Sequence, residues 1–344
     1  MKRILVINVK TWGDMVLSLP FLQHLRELYP EAEITLLTGR KGAVVMRCTA
    51  LPIRVLSWKS VTLEDLRSLI AVDCCYAISP GLLGAGLAYL LRAKERIGFH
   101  QATDAKWNGD YFQHREIVPR WRAIVASVLL HRAVIRNLDE QHESLRDFQL
   151  LPPAERPTSQ RLLCGIGQPS KKEDPGDRVA VLFPYSSAEI RNWPIRRWRD
   201  FTRRLLDSGG VDRVRILGES GHEGDLSAAF CGMPQVEVLA GKLCMASVFN
   251  EVRDAHLVVA NDSLGLHLAS LFDRPAVGIF GPNRPQWFGA VSRFARNLYE
   301  PMECSPCLQP SGNQCCARGH RTCPGLRRIS VDQVFDASQE VLAR

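Results

Sequence analysis

The sequence predicts an α/β protein with two Rossmann-like domains that face a cleft. Its 344 residues exceed what one hydrophobic core usually organises, so two domains are expected. In each half, apolar runs alternate with segments of helical spacing, which is typical of a parallel, doubly wound sheet. Between residues 150 and 178 the chain becomes rich in proline, glycine and charge without a sustained period, and we place the linker at 161–177.

The first half, residues 1–160, is predicted to form the N-terminal domain. Its predicted strands are RILVIN (3–8), AEITLLTG (32–39) and VDCCYAISPG (72–81). The first of these is a continuous apolar run, as expected of a strand that is buried on both faces. Its predicted helices are one that runs from Asp14 to the break at Tyr29-Pro30, LLGAGLAYLLRA (82–93) and the amphipathic segment WRAIVASVLLHRAVI (121–135).

The second half repeats this alternation over residues 178–328 and is predicted to form the C-terminal domain. Its predicted strands are RVAVLFP (178–184), RVRILG (213–218), AHLVVA (255–260) and PAVGIFG (275–281). Its predicted helices cover 195–209 and 245–254, and another begins at 263. Residues 329–344 are predicted to form a closing helix.

The composition describes an ordinary globular protein with a basic surface. Apolar residues make up 46% and charged residues 23% of the chain, and the formal net charge is 44 − 36 = +8. A basic surface suits nucleic acid, an anionic bilayer or phosphorylated ligands, or it serves solubility alone. We expect a cytoplasmic protein, because the chain has no run of about 18 uncharged apolar residues and its first apolar run is shorter than the ~7–15 residues of a signal peptide.

Ligands of open α/β sheets bind beyond the carboxyl ends of the strands, so the loops after strands are the candidate sites. After the first strand, Lys10, Thr11 and Gly13 lead to Asp14. Gly13 would permit a tight turn, and Asp14 would open the following helix. Two alternatives are open for Asp14: a helix N-cap, which is typically worth about 0.5–2 kcal/mol, or a carboxylate that takes a proton from a substrate.

A loop of the second half carries groups that favour a phosphate ligand. Ser186, Ser187 and Arg191 follow the strand at 178–184, and a helix begins near Pro194. An arginine beside the free N–H groups of a helix N-terminus is typical of a phosphate site. The alternative is a solvated surface arginine.

The stretch NDSLGLHLAS (261–270) follows a predicted buried strand and starts a helix. Asp262 or Ser263 would cap this helix, and Gly265 would let the backbone approach a ligand. The helix dipole and first-turn N–H groups would hold a diphosphate, with His267 one turn further along. The alternative for His267 is a neutral side chain packed under the next strand.

The sequence lacks several known nucleotide and metal motifs. It has no G-x-G-x-x-G with a suitable acidic residue, no G-x-x-x-x-G-K-[ST] and no Asp-x-Asp. Dinucleotide oxidoreductase and P-loop chemistry are therefore disfavoured. Any transfer from a diphosphate would be metal-independent, with Arg191 and helix dipoles in place of the cation.

Four segments in order along the chain resemble glycosyltransferase family 9, the heptosyltransferases of lipopolysaccharide core synthesis. They are WGDMVLSLPFLQHLRELYPEAEITLL (12–37), SPGLLGAGLAYLLRAKERIGF (79–99), FPYSSAEIRNWPIRRWRDF (183–201) and NDSLGLHLASLFDRPAVGIFGP (261–282). The resemblance implies a fold of the GT-B type and an inverting, metal-independent mechanism that needs no catalytic cofactor. It further implies transfer of heptose from ADP-heptose to a lipid A-linked core acceptor.

The resemblance also implies roles for particular residues. Asp14 matches the general base, and Lys10, Thr11 and Gly13 lie beside it on the acceptor side, in the N-terminal domain. The residues that match or adjoin the donor-binding loops are Ser186, Ser187, Arg191, Asp262, Ser263, Gly265 and His267. Two departures bear on the donor phosphates, since Arg191 stands where the family usually has lysine and Tyr185 where it commonly has glycine.

Five of the eleven cysteines lie in one segment, residues 304–323. They are Cys304, Cys307, Cys315, Cys316 and Cys323. The C-x-x-C spacing with later cysteines is typical of metal ligands, and in a reducing compartment disulfides are disfavoured. A structural zinc or iron is one alternative, and free thiols or a packing motif are the other.

Two further hypotheses are open on function. The same chemistry would glycosylate a protein of the autotransporter type, as some family members do. From another class, RRWRDFTRR and the cysteine segment would suit a basic nucleic-acid-binding protein with a finger. No recognition motif is present, so we expect no nucleic acid, and peripheral contact with the anionic inner face of the inner membrane explains the charge better.

Overall fold

A computed structural model describes residues 1–9, 11–79, 82–100, 129–130, 132–135, 143–157, 176–305, 307, 316 and 318–343 of the chain. The described residues fall into two compact units, of which the first ends at residue 157 and the second begins at residue 176. Of the predicted linker at 161–177, only the last two residues are described.

The first unit is built on a six-stranded parallel sheet. Its strands are β1 (Arg3–Asn8), β2 (Glu33–Thr38), β3 (Arg54–Ser57), β4 (Cys74–Ala77), β5 (Glu95–His100) and β6 (Arg132–Ile135). Its helices are α1 (Trp12–Leu28), α2 (Arg40–Arg47), α3 (Leu63–Ser68), α4 (Leu82–Leu90) and α5 (Glu143–Arg146). The strand order is β3-β2-β1-β4-β5-β6, and every neighbouring pair is parallel.

The second unit contains a second six-stranded parallel sheet. Its strands are β7 (Val179–Phe183), β8 (Arg213–Ile216), β9 (Val236–Val238), β10 (Leu257–Asn261), β11 (Ala276–Phe280) and β12 (Ala295–Tyr299). Its helices are α6 (Ile195–Asp207), α7 (Glu223–Ala229), α8 (Met245–Arg253), α9 (Leu264–Leu271), α10 (Pro285–Phe288), α11 (Pro324–Arg328) and α12 (Val331–Leu342). The strand order is β12-β11-β10-β7-β8-β9.

Both sheets have the same topology. In each unit the first three strands extend to one side of the sheet and the next three extend to the other side, which is the doubly wound order of the Rossmann fold. The prediction of two Rossmann-like domains is therefore confirmed. The order creates one switch point in each sheet, between β1 and β4 in the first unit and between β7 and β10 in the second.

One predicted helix is wrong over its last four residues. Residues 132–135 form strand β6, which pairs in parallel with β5, whereas residues 121–128 lie outside the described part of the chain. An apolar run within a parallel sheet has no alternation, so periodicity does not separate it from a buried helix segment. Pairing with the edge of β5 decides the conformation here.

Helix α1 is held on the first sheet by aromatic contacts. The Phe21 ring meets the rings of Tyr76 and Phe148 edge to face, at centroid distances of 5.6 and 5.9 Å. Phe21 is fully buried, and edge-to-face pairs of this kind add about 0.5–1.5 kcal/mol beyond the buried area. These contacts fix the helix that carries Asp14 against strand β4.

The core of the second unit contains a tryptophan pair. Trp193 and Trp198 are almost completely buried, and their rings meet edge to face at 5.4 Å. The indole N–H of Trp193 donates to the carbonyl of Ile329, just before helix α12. That helix begins with a capping box between Ser330 and Gln333, so the predicted closing helix is present and starts at Val331.

Candidate functional site

The candidate site of the second unit lies at the switch point of its sheet, where β7 and β10 run side by side. Asn261 ends strand β10 and is fully buried. Its amide donates to the carbonyl of Pro184 at 2.5 Å and accepts from the backbone N–H of Trp193 at 3.1 Å. Asn261 therefore ties the loop after β7 to the end of β10, a role that the sequence analysis missed.

The predicted residues Arg191 and Asp262 meet at this switch point. An Arg191 guanidinium nitrogen, Nη1, lies 3.4 Å from Oδ2 of Asp262, and its Nη2 donates to the hydroxyl of Ser187 at 2.8 Å. The side chains are only 16% and 4% exposed, so this is a buried ion pair. Asn283, which the sequence analysis also missed, donates its amide N–H to the same carboxylate oxygen of Asp262.

Two polar atoms beside this ion pair have no hydrogen-bond partner within the described residues. They are Nε of Arg191 and the hydroxyl of Ser263, and both atoms are shielded from solvent. Either atom can bind a ligand without giving up a hydrogen bond within the described residues. An anion is the partner that a guanidinium N–H prefers.

The start of helix α9 differs from the prediction in its capping. Ser263 occupies the N-cap position, but its side chain makes no capping hydrogen bond, and Asp262 faces Arg191 instead. The first-turn N–H groups are therefore left without a side-chain cap, which suits an anion at the helix N-terminus.

The structure gives Gly265 and His267 packing surroundings. A Cβ atom at Gly265 would lie 2.4 Å from Cδ2 of Phe183, so glycine lets helix α9 pack on strand β7. The sequence analysis explained this glycine by close approach to a ligand, whereas the contact with Phe183 explains it by helix–strand packing. His267 is buried, with 7% of its surface exposed, as its packing alternative predicts.

Ser186 forms its hydrogen bonds within its own loop. Its hydroxyl donates to the carbonyl of Ala188 at 2.9 Å, and its backbone N–H donates to Asn192 at 2.8 Å. These bonds shape the turn Glu189–Arg191 that precedes helix α6. Contact of Ser186 with a donor stays a prediction.

A stacked aromatic pair lies beside this loop. The rings of Tyr185 and His222 are 4.3 Å apart and nearly parallel, at 22°. Burial raises the pKa of Tyr185, and the nearby Asp225 and Glu189 raise it further. The phenol is therefore neutral at physiological pH, and it stands where the resemblance predicts glycine.

In the first unit, Asp14 lies inside the first turn of α1, which begins at Trp12. The N-cap alternative for Asp14 is therefore wrong, and so is the tight turn predicted at Gly13, which is helical. Thr11 is the N-cap residue, and its hydroxyl donates to the Asp14 carboxylate at 2.7 Å. Lys10 lies outside the described residues.

The described cysteines of the 304–323 segment are free thiols. The Cys307 thiol donates to the carbonyl of Cys304 at 2.7 Å. Burial raises the pKa of Cys307 to about 12, with a further contribution from the thiols of Cys304, Cys323 and Cys316. Among the described residues no three His, Cys, Asp or Glu side chains form a group that fits a metal ion, and Cys315 lies outside them.

Two doubly wound domains, with a buried basic group at the switch point of the second, define a fold of the GT-B glycosyltransferase class. Residues 67–316, well over half of the chain, match the model of "Glycosyltransferase family 9 (heptosyltransferase)". The chain belongs to glycosyltransferase family 9, as the sequence motifs predict. In the described part of the chain, no helix combines the length and apolar character that crossing a membrane requires.

Individual relatives are consistent with this assignment. Lipopolysaccharide heptosyltransferase 1 of Pseudomonas aeruginosa is 30% identical over 138 residues, which are 40% of this chain and 38% of that protein. The match thus spans less than two fifths of that relative's length. Escherichia coli ADP-heptose lps heptosyltransferase II has a similar fold, with a TM-score of 0.72 and 17% identity over 100% of this chain and 99% of that one. E. coli heptosyltransferase WaaC with ADP gives a TM-score of 0.69 and 20% identity over 98% and 99% of the two chains.

Proposed function

We propose that the chain is an inverting, metal-independent heptosyltransferase that transfers heptose from ADP-heptose to a lipopolysaccharide core acceptor. In this proposal the first unit binds the acceptor and the second binds the donor. The observation that carries it is the buried cluster of Arg191, Asp262 and Asn283 at the switch point of the second sheet. Family membership supplies the reaction class, and solved relatives with ADP support the choice of nucleotide.

The cluster suits the diphosphate of a nucleotide sugar. Asp262 and Ser187 hold the guanidinium of Arg191 in one orientation, which leaves its Nε–H without a partner among the described residues. The uncapped first turn of α9 adds backbone N–H groups and the positive end of a helix dipole. When the sugar leaves, negative charge grows on the diphosphate, and these preorganised donors stabilise it without rearrangement.

Asp14 is the proposed general base. The acceptor hydroxyl oxygen attacks the anomeric carbon of the heptose, the bond from that carbon to the phosphate oxygen breaks, and ADP departs with the electron pair. The hydroxyl proton passes to the Asp14 carboxylate, which the Thr11 hydroxyl holds in place at 2.7 Å. A single displacement of this kind inverts the anomeric configuration, and base catalysis typically contributes about 10²–10⁴-fold.

A transfer assay with product analysis tests the proposal. Purified protein is incubated with ADP-heptose and either a core acceptor or a protein acceptor of the autotransporter type, with and without a chelator. The anomeric configuration of the product is determined by NMR. We expect one heptose per acceptor, an inverted linkage and no effect of the chelator. A retained linkage would contradict the single displacement, and transfer only to a protein acceptor would replace the core acceptor by the autotransporter alternative.

Contact with a membrane surface is proposed for the first unit. The exposed large apolar side chains of the described residues all lie in this unit: Met1, Trp58, Leu63, Ile70, Leu83, Tyr89 and Leu90. Together with the net charge of +8, they favour peripheral binding at the cytoplasmic face of an anionic membrane. Flotation with anionic vesicles should recover the wild type and lose the Leu63→Gln/Leu90→Gln variant, whereas equal recovery would contradict this contact.

A structural zinc or iron is one of the two alternatives that the cysteine spacing leaves open, beside free thiols or a packing motif, and the described thiols do not by themselves fit a metal. No step of the proposed transfer is routed through this metal. Elemental analysis of protein purified without a metal-affinity tag tests the prediction. A content near one metal per chain would support it, and less than ~0.2 per chain would count against it.

A further inference from the structure

The cysteine segment contacts the loop that carries Asn283. The Ser305 hydroxyl, which is buried, donates to the carbonyl of Gly281 at 2.5 Å. Two residues later, the backbone N–H of Cys307 donates to the carbonyl of Pro282 at 2.7 Å. These two bonds fix consecutive peptide groups just before Asn283, whose amide contacts Asp262.

The other end of the segment contacts the turn that carries Arg191. The backbone N–H of Cys323 donates to the carbonyl of Ile190 at 3.0 Å. Arg321 forms an ion pair with Glu189 at 2.8 Å on the surface of the same turn. The residue next to Arg191 is thus held by the segment that also holds the residue next to Asn283.

Cys323 brings these two attachments together. A Cβ atom at Gly281 would lie 3.0 Å from Cβ of Cys323 and 2.6 Å from Cγ of Leu326. Cys323 is 3% exposed, so its side chain is packed against the Gly281 backbone while its N–H holds Ile190. Cys323 therefore contacts both loops that meet at Asp262, the one with Arg191 and the one with Asn283.

We propose that the described ends of the cysteine segment position the donor site, with Ser305 setting the placement of Asn283 and Cys323 that of Arg191 around Asp262, without contacting the donor. The inference rests on the proposed function, since it assigns the ligand of this site as a nucleoside diphosphate. Its physical basis is that a buried hydrogen bond to a backbone carbonyl holds a loop in one place, and its loss leaves that carbonyl unsatisfied.

Ser305→Ala is the informative variant, because it removes the bond to the loop and leaves every cysteine in place. It also removes a hydrogen bond at 3.0 Å between the hydroxyls of Ser305 and Tyr299, the last residue of β12. Ser338→Ala is its matched control: Ser338 is also buried and donates to a backbone carbonyl, that of Val334, within helix α12. We expect Ser305→Ala to weaken ADP binding about five- to tenfold, and Ser338→Ala to leave it unchanged.

The experiment combines ADP titration by calorimetry, the donor and acceptor KM values, and hydrogen exchange of peptides that cover 186–193 and 279–285. For Ser305→Ala alone, we expect weaker ADP binding, a raised donor KM with an unchanged acceptor KM, and faster exchange in the peptide 279–285, which contains the carbonyl that Ser305 bonds. The peptide 186–193, which Cys323 holds, is the internal reference. Equal ADP affinity in both variants, or equal acceleration of exchange throughout the second unit, would overturn the proposal. If the wild type binds no ADP, the proposed function fails, whereas faster exchange confined to 279–285 would still show that Ser305 holds this loop.

Discussion

The two units share one strand order but hold their key aspartates in different ways. In each sheet an asparagine, Asn8 or Asn261, ends a strand at the switch point and is fully buried. Asp262 follows directly, is 4% exposed and meets partners 71 and 21 residues away in sequence. Asp14 is half-buried, and its carboxylate is held by Thr11, three residues away.

This difference fits the two roles that we propose for these carboxylates. A buried aspartate with two long-range partners holds an arginine in one orientation. A partly exposed aspartate with a local hydroxyl partner remains accessible to a substrate and can accept its proton. In the proposed function, the same topology thus supplies an anion site in one unit and a general base in the other.

The largest expected effect concerns Asp14. Asp14→Asn keeps the shape of the side chain but removes its basicity, so kcat should fall about 10²–10⁴-fold while ADP affinity is unchanged. Glu27→Gln, on the same helix and at its exposed side, is the control and should retain full activity. Full turnover by Asp14→Asn would remove the base from the mechanism.

The next effect concerns Arg191. Arg191→Ala leaves the buried Asp262 without its cation, so the free energy of unfolding should fall by about 3–5 kcal/mol and ADP affinity should drop. Arg191→Lys keeps the charge but not the geometry that reaches both Asp262 and Ser187, so we expect an intermediate affinity. Urea unfolding and calorimetry measure both quantities, and an Arg191→Ala protein with wild-type affinity would contradict the anion site.

Two glycines should respond in opposite directions. Gly265→Ala places a methyl group 2.4 Å from Phe183 and should destabilise the second unit by about 1–3 kcal/mol. Gly86 lies in helix α4 of the first unit with nothing within 4 Å of an added Cβ, so Gly86→Ala should stabilise by up to about 1 kcal/mol. Thermal unfolding distinguishes the two variants. Equal shifts in Tm would show that the contact of the added methyl group with Phe183 does not destabilise the second unit.

The smallest effect is a pH dependence that the units share. The Asp73 carboxylate accepts hydrogen bonds from the Lys94 side chain and the backbone N–H of Arg3. The Asp212 carboxylate accepts hydrogen bonds from the side chain and the backbone N–H of Arg178. These bonds lower the pKa of each carboxyl to about 2. A lowered pKa in the folded state contributes stability above the unfolded value near 4, and this contribution is lost as the pH falls from about 4 to 2. Asp73→Asn and Asp212→Asn should each flatten the dependence of the urea midpoint over this window, and an unchanged slope in either would contradict the assignment.

The fold was predictable because its signals are local. Apolar strands such as β1 and β10 are continuous apolar runs, so the alternation of strand and helix follows from the sequence alone. Strand β6 was not predictable, because a short apolar segment satisfies helical and strand spacing equally well and only pairing with β5 decides. Two repeats of one pattern predict two Rossmann-like domains, and the GT-B class follows from the resemblance to glycosyltransferase family 9.

Two charged residues of the candidate site, Arg191 and Asp262, were predictable from the sequence, but the residues that hold them in place were not. Arg191 and Asp262 carry charge at strand ends, which is a readable signal. Asn283 was missed because its contact with Asp262 depends on β11 lying beside β10, and the attachment of Ser305 depends on a chain segment 24 residues beyond Gly281. Contacts of this kind exist only once the sheet has formed.

Calorimetric titration of ADP-heptose, beside ADP-glucose, UDP-sugars and GDP-sugars, tests whether the second unit is the donor site. We expect selective binding of ADP-heptose by the wild type, its loss in Asp262→Ala, and its retention in Asp212→Ala, which breaks an exposed ion pair of the same unit. Binding of another sugar nucleotide would overturn the heptose donor while leaving the anion site. No binding of any donor would contradict the proposed function, because the cluster of Arg191, Asp262 and Asn283 would then be a structural feature of the fold.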